Sequence, residues 1–505
     1  MAHIVMVQPS TSLTGSFIRM IPLGILYAAS RVIRDLQLDV ALLDARINPD
    51  RWQQDLETCL TPETRIVGFS VMSGFSILES LKITRWIKQH HQEIIVVWGG
   101  PHPTFSPEDT LAEPTIDFVI RGYGRDAFHD LVAHVWQRPE APQKEDIQGL
   151  GWRNEWGETR LNPESDQFEF MDYQEIPYHL IADFSVYRHI DGDAMVFPLY
   201  SVMGCPYKCA FCSTPAQLAG FRKKWVPYAT TDVVNHIRMV KERFGASYIY
   251  FIDEDSFVNL AHVEAIVRGV REAGLQLKLG FRGARVNEIK RMSDDFLEML
   301  VNAGTSTMHV GVECGSDRIL NLMGKHITVA DILEINRKLA RHPQLRIFYN
   351  FIVGYPTETF EETRQTRDLV LRLMADNPSC FIIPLNKPRP LPRTRLYELA
   401  LNHGYRPPQT LLEWGSYDVE SSDYNPEWLS ASHNRCIRMM FLAMYFIDNK
   451  IHRLHPRNTL FFKILRLLAR IYRPIAMLRF RYGIHQFLVE DWVFRLLNRL
   501  LPSHY

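Results

Sequence analysis

Apolar residues fall into short β-rich runs that alternate with stretches of helical spacing. Over residues 1–140, His3 to Val7, Leu38 to Leu43, Arg65 to Val71, Ile94 to Trp98 and Ile116 to Ile120 read as strands. Leu23 to Asp35, Trp52 to Leu60, Ile77 to His90 and Ala127 to Gln137 read as the helices between them. This alternation predicts an α/β fold with a parallel, doubly wound, flavodoxin-like sheet, which binds ligands beyond its strand carboxyl ends. Residues 141–195 read as a structured connector with a hairpin near Gly149 to Glu158 and no assigned chemistry.

Alternation resumes over residues 196–420. Phe197 to Val202 reads as one strand, followed by Tyr248 to Ile252, Leu277 to Phe281, Thr307 to Val312, Arg346 to Ile352 and Cys380 to Leu385. Helical patterns such as Thr231 to Phe244 and Thr363 to Met374 complete six βα units. Residues 421–505 form a helical, basic C-terminal region. From Ile451 to Tyr505 there are ten Lys or Arg against two acids, Glu490 and Asp491. Lys463, Arg466, Arg470 and Arg473 fall on one helical face, while Phe461, Phe462, Leu465, Leu468 and Ile471 point elsewhere. Pro474 should interrupt this helix, with Trp492, Phe494, Leu496, Leu497 and Leu500 on a second one. A basic amphipathic helix of this kind either packs on the barrel or lies at a membrane surface.

Composition narrows the class. The 505 residues carry zero formal net charge, which gives no hint of nucleic acid, so none is expected as a partner. Seven cysteines make no disulfide scaffold, and free thiols fit a reducing cytoplasm. Neither a signal peptide nor an apolar run of spanning length is expected. There is no internal repeat or low-complexity tract.

Three of the seven cysteines, Cys205, Cys209 and Cys212, stand in C-x3-C-x2-C spacing after the Phe197 strand. Three thiolates leave one iron of a four-iron cubane open for a small molecule. Structural zinc prefers four ligands in two pairs, and no second C-x-x-C is present. Inert core thiols are the bland alternative.

This stretch resembles the radical S-adenosylmethionine (SAM) enzymes, whose signature has an aromatic residue before the last cysteine, here Phe211. The resemblance implies a partial (β/α)6 barrel with a [4Fe-4S] cluster on the three cysteines. SAM would chelate the open iron and be cleaved to a 5′-deoxyadenosyl radical, with electrons from an external flavodoxin- or ferredoxin-type donor. It further implies that Asp253 and Glu254 contact the SAM amino group and Glu313 lies near its ribose. Arg285 either holds the SAM carboxylate or pairs with an acid. Cys314 stands where the family usually has Ser, and reads as a small buried residue.

The first 140 residues resemble the cobalamin-binding domain fused to many such enzymes, on the strength of Gly99-Gly100 followed by His102-Pro103-Thr104. Gln8, Ser70, Gly99, Gly100, His102 and Gly122 are then the expected cobalamin contacts. The Asp-x-His-x-x-Gly motif is absent, so no histidine from it is expected on cobalt. The family's Gly-Glu-Gly-Glu loop reads Gly122-Tyr123-Gly124-Arg125 here, without either carboxylate. A flavodoxin-like module without cofactor is the alternative for this domain.

Together the two domains resemble class B, cobalamin-dependent radical SAM enzymes. The leading implication is methylation of an unactivated carbon, or phosphorus, of a small metabolite, with an apolar one suggested by the C-terminal helices. Oxidative cyclisation or rearrangement of the porphyrin ester cyclase kind is the alternative. RNA methylthiolation wants three further N-terminal cysteines, and only Cys59 precedes the cluster motif.

Overall fold

The computed structural model describes residues 2–11, 20–170, 172–187, 194–417, 424–448 and 460–492. The N-terminal sheet contains β1 (Ile4–Gln8), β2 (Val40–Asp44), β3 (Ile66–Ser70), β4 (Ile95–Gly99), β5 (Phe118–Ile120), β6 (Leu150–Arg153) and β7 (Thr159–Leu161). Their order is β2-β1-β3-β4-β5-β6-β7, parallel through β5. Ile4, Val5, Met6 and Val7 are all buried, as expected of a parallel strand covered on both faces. The hairpin expected in the connector is β6–β7. It adds to this sheet antiparallel, with Trp152 opposite Phe118.

The second sheet is built from β8 (Val196–Leu199), β11 (Tyr248–Phe251), β12 (Lys278–Arg285), β13 (Thr305–Glu313), β14 (Arg346–Phe351) and β15 (Phe381–Ile382). All six are parallel, in the order β15-β14-β13-β12-β11-β8, which is the expected partial barrel. Several of its helices start on side-chain caps. Thr328 and Asp331 form a reciprocal capping box at Val329–Leu339, as do Thr359 and Glu362 at Phe360–Asp376.

The strand expected over Phe197 to Val202 is broken. After β8 the chain turns at Tyr200-Ser201 into β9 (Val202–Gly204), which pairs antiparallel with β10 (Trp225–Pro227). The break has a cause: Asp253 accepts hydrogen bonds from both Ser201 N and Val202 N, drawing this backbone away from the parallel ladder.

The chain beyond the barrel divides. Ala400, Tyr405, Leu411, Trp414 and Tyr417 return to the core of the N-terminal domain, and the helix Leu411–Ser416 packs on Phe75–His90. The helix Ala431–Ile447 packs on the barrel helix Phe360–Asp376, and Leu460–Tyr482 packs on both. Pro474 lies inside Leu460–Tyr482 and does not end it. Its ring is on the exposed side, where water can reach the carbonyl it leaves unpaired. Phe494, Leu496, Leu497 and Leu500 lie outside the described residues. Among the described residues no helix is long and apolar enough to cross a membrane.

Candidate active site

The cysteine loop hangs between β9 and the short helix Ser213–Gln217, with β10 returning beside β9. Gly204 has φ 79°, and a Cβ there would lie 2.4 Å from the Lys224 carbonyl oxygen, so only glycine fits this close pairing. The loop is docked by backbone bonds from Ala210 N to Met323 O and from Leu396 N to Ala210 O, both 2.9 Å. Cys209 is buried, and Cys205 and Cys212 are half-buried. Burial pushes the Cys205 and Cys212 thiols up, and each feels a neighbouring cysteine of the loop. Among the described residues no three candidate ligands converge closely enough for a single metal ion. Three neighbouring thiols on one docked loop suit a multi-iron cluster, whose thiolate ligands stand farther apart than those of one ion.

A charged patch backs this loop at the carboxyl ends of β12 and β13. Arg285 donates from Nη1 to Cys209 Sγ at 2.9 Å and from Nη2 to the Lys325 carbonyl at 3.1 Å. Its guanidinium lies 3.8 Å from the Tyr207 ring centroid, and Tyr207 donates to Glu288. Beside it, Glu313 and Lys325 form a buried ion pair at 2.8 Å. Glu313 adopts φ 66°, a left-handed conformation uncommon outside glycine. Lys325 and Glu288 were not legible as site residues. The local signal for Lys325 is the Met323-Gly324-Lys325 turn after a short helix, and it is the fold that brings it to Arg285; Glu288 lies three residues after Arg285, whose backbone N donates to it at 3.1 Å, and reads as an ordinary acid in the first turn of a helix.

The neighbouring acids of the second barrel strand part company. Asp253 is fully buried and accepts from Ser201 N and Oγ, Val202 N and Ser256 Oγ, at 2.7–3.2 Å. Burial raises its pKa to about 6 against these bonds. It holds the β8–β9 turn and has no acceptor capacity left for a ligand. Glu254 instead reaches an open cleft, where its carboxylate also accepts from Gly204 N at 3.3 Å. Phe211 packs against the barrel core, and Cys314 is a buried small side chain, as read from the sequence.

That open cleft, of about 280 Å³, lies between the carboxyl ends of the first sheet and the cysteine strand. One wall comes from Ser70, Gly99, Gly100 and Gly122; the floor includes Met6, Val97 and Phe128. The opposite wall is Tyr200, Met203 and Glu254. Gly100 has φ 95°, and a Cβ there would meet Val71 N at 2.9 Å. At Gly24, on the same cleft, a Cβ would meet nothing within 4 Å. The Tyr27 hydroxyl is buried at this cleft with no hydrogen-bond partner. A glycine-lined, mostly apolar, open cleft with an orphaned hydroxyl suits the close approach of a flat ligand such as a corrin.

Two expected contacts do not reach the cleft. Gln8 folds its amide onto Pro9 O. His102 is fully buried, with Nδ1 3.1 Å from Ser73 Oγ and its ring 5.6 Å from Trp414. Burial pushes its pKa down to about 3, so it is neutral. The helix Pro101–Phe105 turns its side chain away from the cleft into the packing under Leu411–Ser416. Conversely, the connector does contribute a wall residue. Glu169 lines the cleft, accepts from Asp126 N at 3.1 Å, and has its pKa raised to about 7 by burial. A carboxylate thus stands beside the Gly122–Arg125 loop, which lacks one of its own.

Comparison with known proteins gives two domain matches. Residues 199–370 match the Radical SAM superfamily, and residues 18–132 match the B12 binding domain. The chain is 28% identical over 382 residues to an uncharacterized methyltransferase of Pyrococcus horikoshii, covering 75% of this chain and 78% of that protein. It is 24% identical over 352 residues to the anaerobic magnesium-protoporphyrin IX monomethyl ester cyclase of Rubrivivax gelatinosus, covering 68% of this chain and 61% of the cyclase. The structure of the cobalamin-dependent S-adenosylmethionine radical enzyme OxsB, with aqua-cobalamin and S-adenosylmethionine bound, superposes with a TM-score of 0.72 at 17% identity, covering 100% of this chain and 76% of that one. The radical S-adenosylmethionine methyltransferase TsrM from Kitasatospora setae, with cobalamin and a [4Fe-4S] cluster bound, gives 0.65 at 18% identity, covering 96% and 99%. At these identities the structural likeness establishes the fold.

Proposed function

This chain belongs to the cobalamin-dependent radical SAM enzymes, and from that membership we propose that it methylates an unactivated carbon, or a phosphorus, of a small molecule. Its cofactors are a [4Fe-4S] cluster, SAM and cobalamin. The observation that carries the proposal is the placing of one cleft between the B12-binding sheet and the cysteine strand, with Glu254 at the junction. Methyl transfer by this class needs the methyl donor and the radical source to face one substrate position.

When bound, the cofactors supply the electron, the radical and the methyl group; the chain supplies geometry. Cys205, Cys209 and Cys212 would hold the cluster, and Arg285 stands against Cys209 to fix the loop and its charge. Glu254, Arg285 and Glu313 would take SAM, with Lys325 holding the Glu313 carboxylate in place. Ser70, Gly99, Gly100 and Gly122 would admit the corrin closely, with Tyr27 and Glu169 offering polar contacts at its edge. Tyr200 and Met203, which line the cleft on the cysteine side, would help keep water from the bound cofactors. The electron donor is a flavodoxin- or ferredoxin-type protein in a cytoplasmic setting.

Oxidative cyclisation is the second reading, favoured by the likeness to the Rubrivivax cyclase. The test is turnover with methyl-labelled SAM in extracts of a strain deleted for this protein, supplemented with the purified enzyme. Methylation predicts a metabolite that gains the labelled methyl group. A consumed metabolite whose product carries no label would favour cyclisation and overturn the methylation proposal.

A further inference from the structure

The helix Leu460–Tyr482 turns an apolar face to solvent. Ile464, Leu467, Ile471, Ile475, Leu478 and Tyr482 are 48–68% exposed, at spacings of three, four and seven residues. They form one stripe about 27 Å long at 1.5 Å per residue. The helix is held to the protein through its opposite side, where Ala469, Ala476 and Phe480 are buried. Most surface helices bury their apolar stripe; this one buries small residues and Phe480 and exposes the stripe. The segment after it exposes Phe487 and Trp492, at 90% and 66%.

Charge says what covers the stripe. The helix contains six cations and no acid. At about 100° per residue, Lys463, Arg470 and Arg481 all fall roughly 80–105° from the stripe's centre, on the same side. All three are exposed. They make a row along one edge of the apolar face, where long basic side chains can reach headgroups while the stripe enters the acyl boundary. A second copy of this chain placed stripe to stripe would bring the acid-free helix against itself, cations included, which is unfavourable. Among the described residues no helix is long and apolar enough to cross a membrane, so any lipid contact by this one would be in the plane.

We propose that Leu460–Tyr482 is a docking surface for an anionic lipid bilayer, with the stripe in the interface and Lys463, Arg470 and Arg481 on the headgroups. This assignment is independent of the reaction the enzyme performs.

The experiment is flotation of the full chain, loaded with its cofactors, on vesicles of phosphatidylcholine alone or with phosphatidylglycerol, at low and high salt. The protein should float with the anionic vesicles and release as salt rises. Removing a cation should weaken binding about fivefold, so the triple variant K463Q/R470Q/R481Q should lose roughly a hundredfold. Ile471→Ser with Leu478→Ser should abolish flotation without changing the corrinoid absorbance or thermal midpoint, because both side chains are exposed. Failure of the wild-type chain to float on anionic vesicles would overturn the proposal. So would equal binding to neutral vesicles, or a dimer that the Ile471→Ser, Leu478→Ser variant dissociates in the absence of any flotation.

Discussion

Asp253 and Glu254 are adjacent acids after one apolar strand, and sequence alone treats them alike. Their surroundings separate them. Asp253 fixes the turn that carries the cysteine strand, while Glu254 meets the cleft. Asp253→Asn should therefore act through the loop: its amide nitrogen would face a donor, at a cost of about 1–3 kcal/mol for the group left unpaired. A lower thermal midpoint and lower iron content after anaerobic reconstitution are expected; an unchanged midpoint would contradict this role. Cys209→Ala should abolish both cluster retention and SAM cleavage, read by iron analysis and 5′-deoxyadenosine formation.

Glu169 gives a pH prediction. Its folded pKa is raised from 4.5 to about 7 by burial. The folded protein therefore holds this proton more tightly than the unfolded chain does. The resulting stabilisation is complete below about pH 4.5 and is lost as pH rises through 7. In the cofactor-free protein, the thermal midpoint should fall relative to Glu169→Gln between those limits and run parallel to it above. Parallel curves across the whole range would contradict the raised pKa.

At the scale of elements, Gly100 ends the β4 turn with a positive φ and backbone contact on the cleft side. Gly100→Ala should destabilise the N-terminal domain by about 1–3 kcal/mol and reduce corrinoid retention, while the cluster's electron paramagnetic resonance signal persists. Loss of the cluster signal as well would contradict two separately built walls. The strands were legible because each is a β-rich run with both faces covered. The cysteines were legible because their spacing alone carries the chemistry. What was missed depends on tertiary contact. The Phe197–Val202 run reads as one strand because its apolar pattern is continuous, yet a carboxylate fifty residues later breaks it. Residues 400–417 read as barrel because nothing local says that Trp414 will donate to Asp109 in the first domain. Lys325, Tyr27 and Glu169 sit in unremarkable segments and become site residues only where the folds meet. His102 carried the family pattern, but Trp414 and Ser73 show its side chain to be packed away from the cleft.

Across the whole molecule, the cleft exists because the two sheets are braced against each other. Arg393 donates to Glu164 at 2.8 Å and to Thr104 O at 3.2 Å, and Arg121 shares the same carboxylate. One side chain thus joins barrel extension, connector and N-terminal domain beside the Gly122 loop. In the proposed reaction this assembly couples radical formation to methyl transfer in one cleft. The most direct measurement is the set of products formed from SAM by the anaerobically reconstituted, cobalamin-loaded enzyme with reductant and its substrate. Coupled methyl transfer should give 5′-deoxyadenosine and S-adenosylhomocysteine in equal amounts, one of each per methyl transferred. Formation of 5′-deoxyadenosine with no S-adenosylhomocysteine would contradict it.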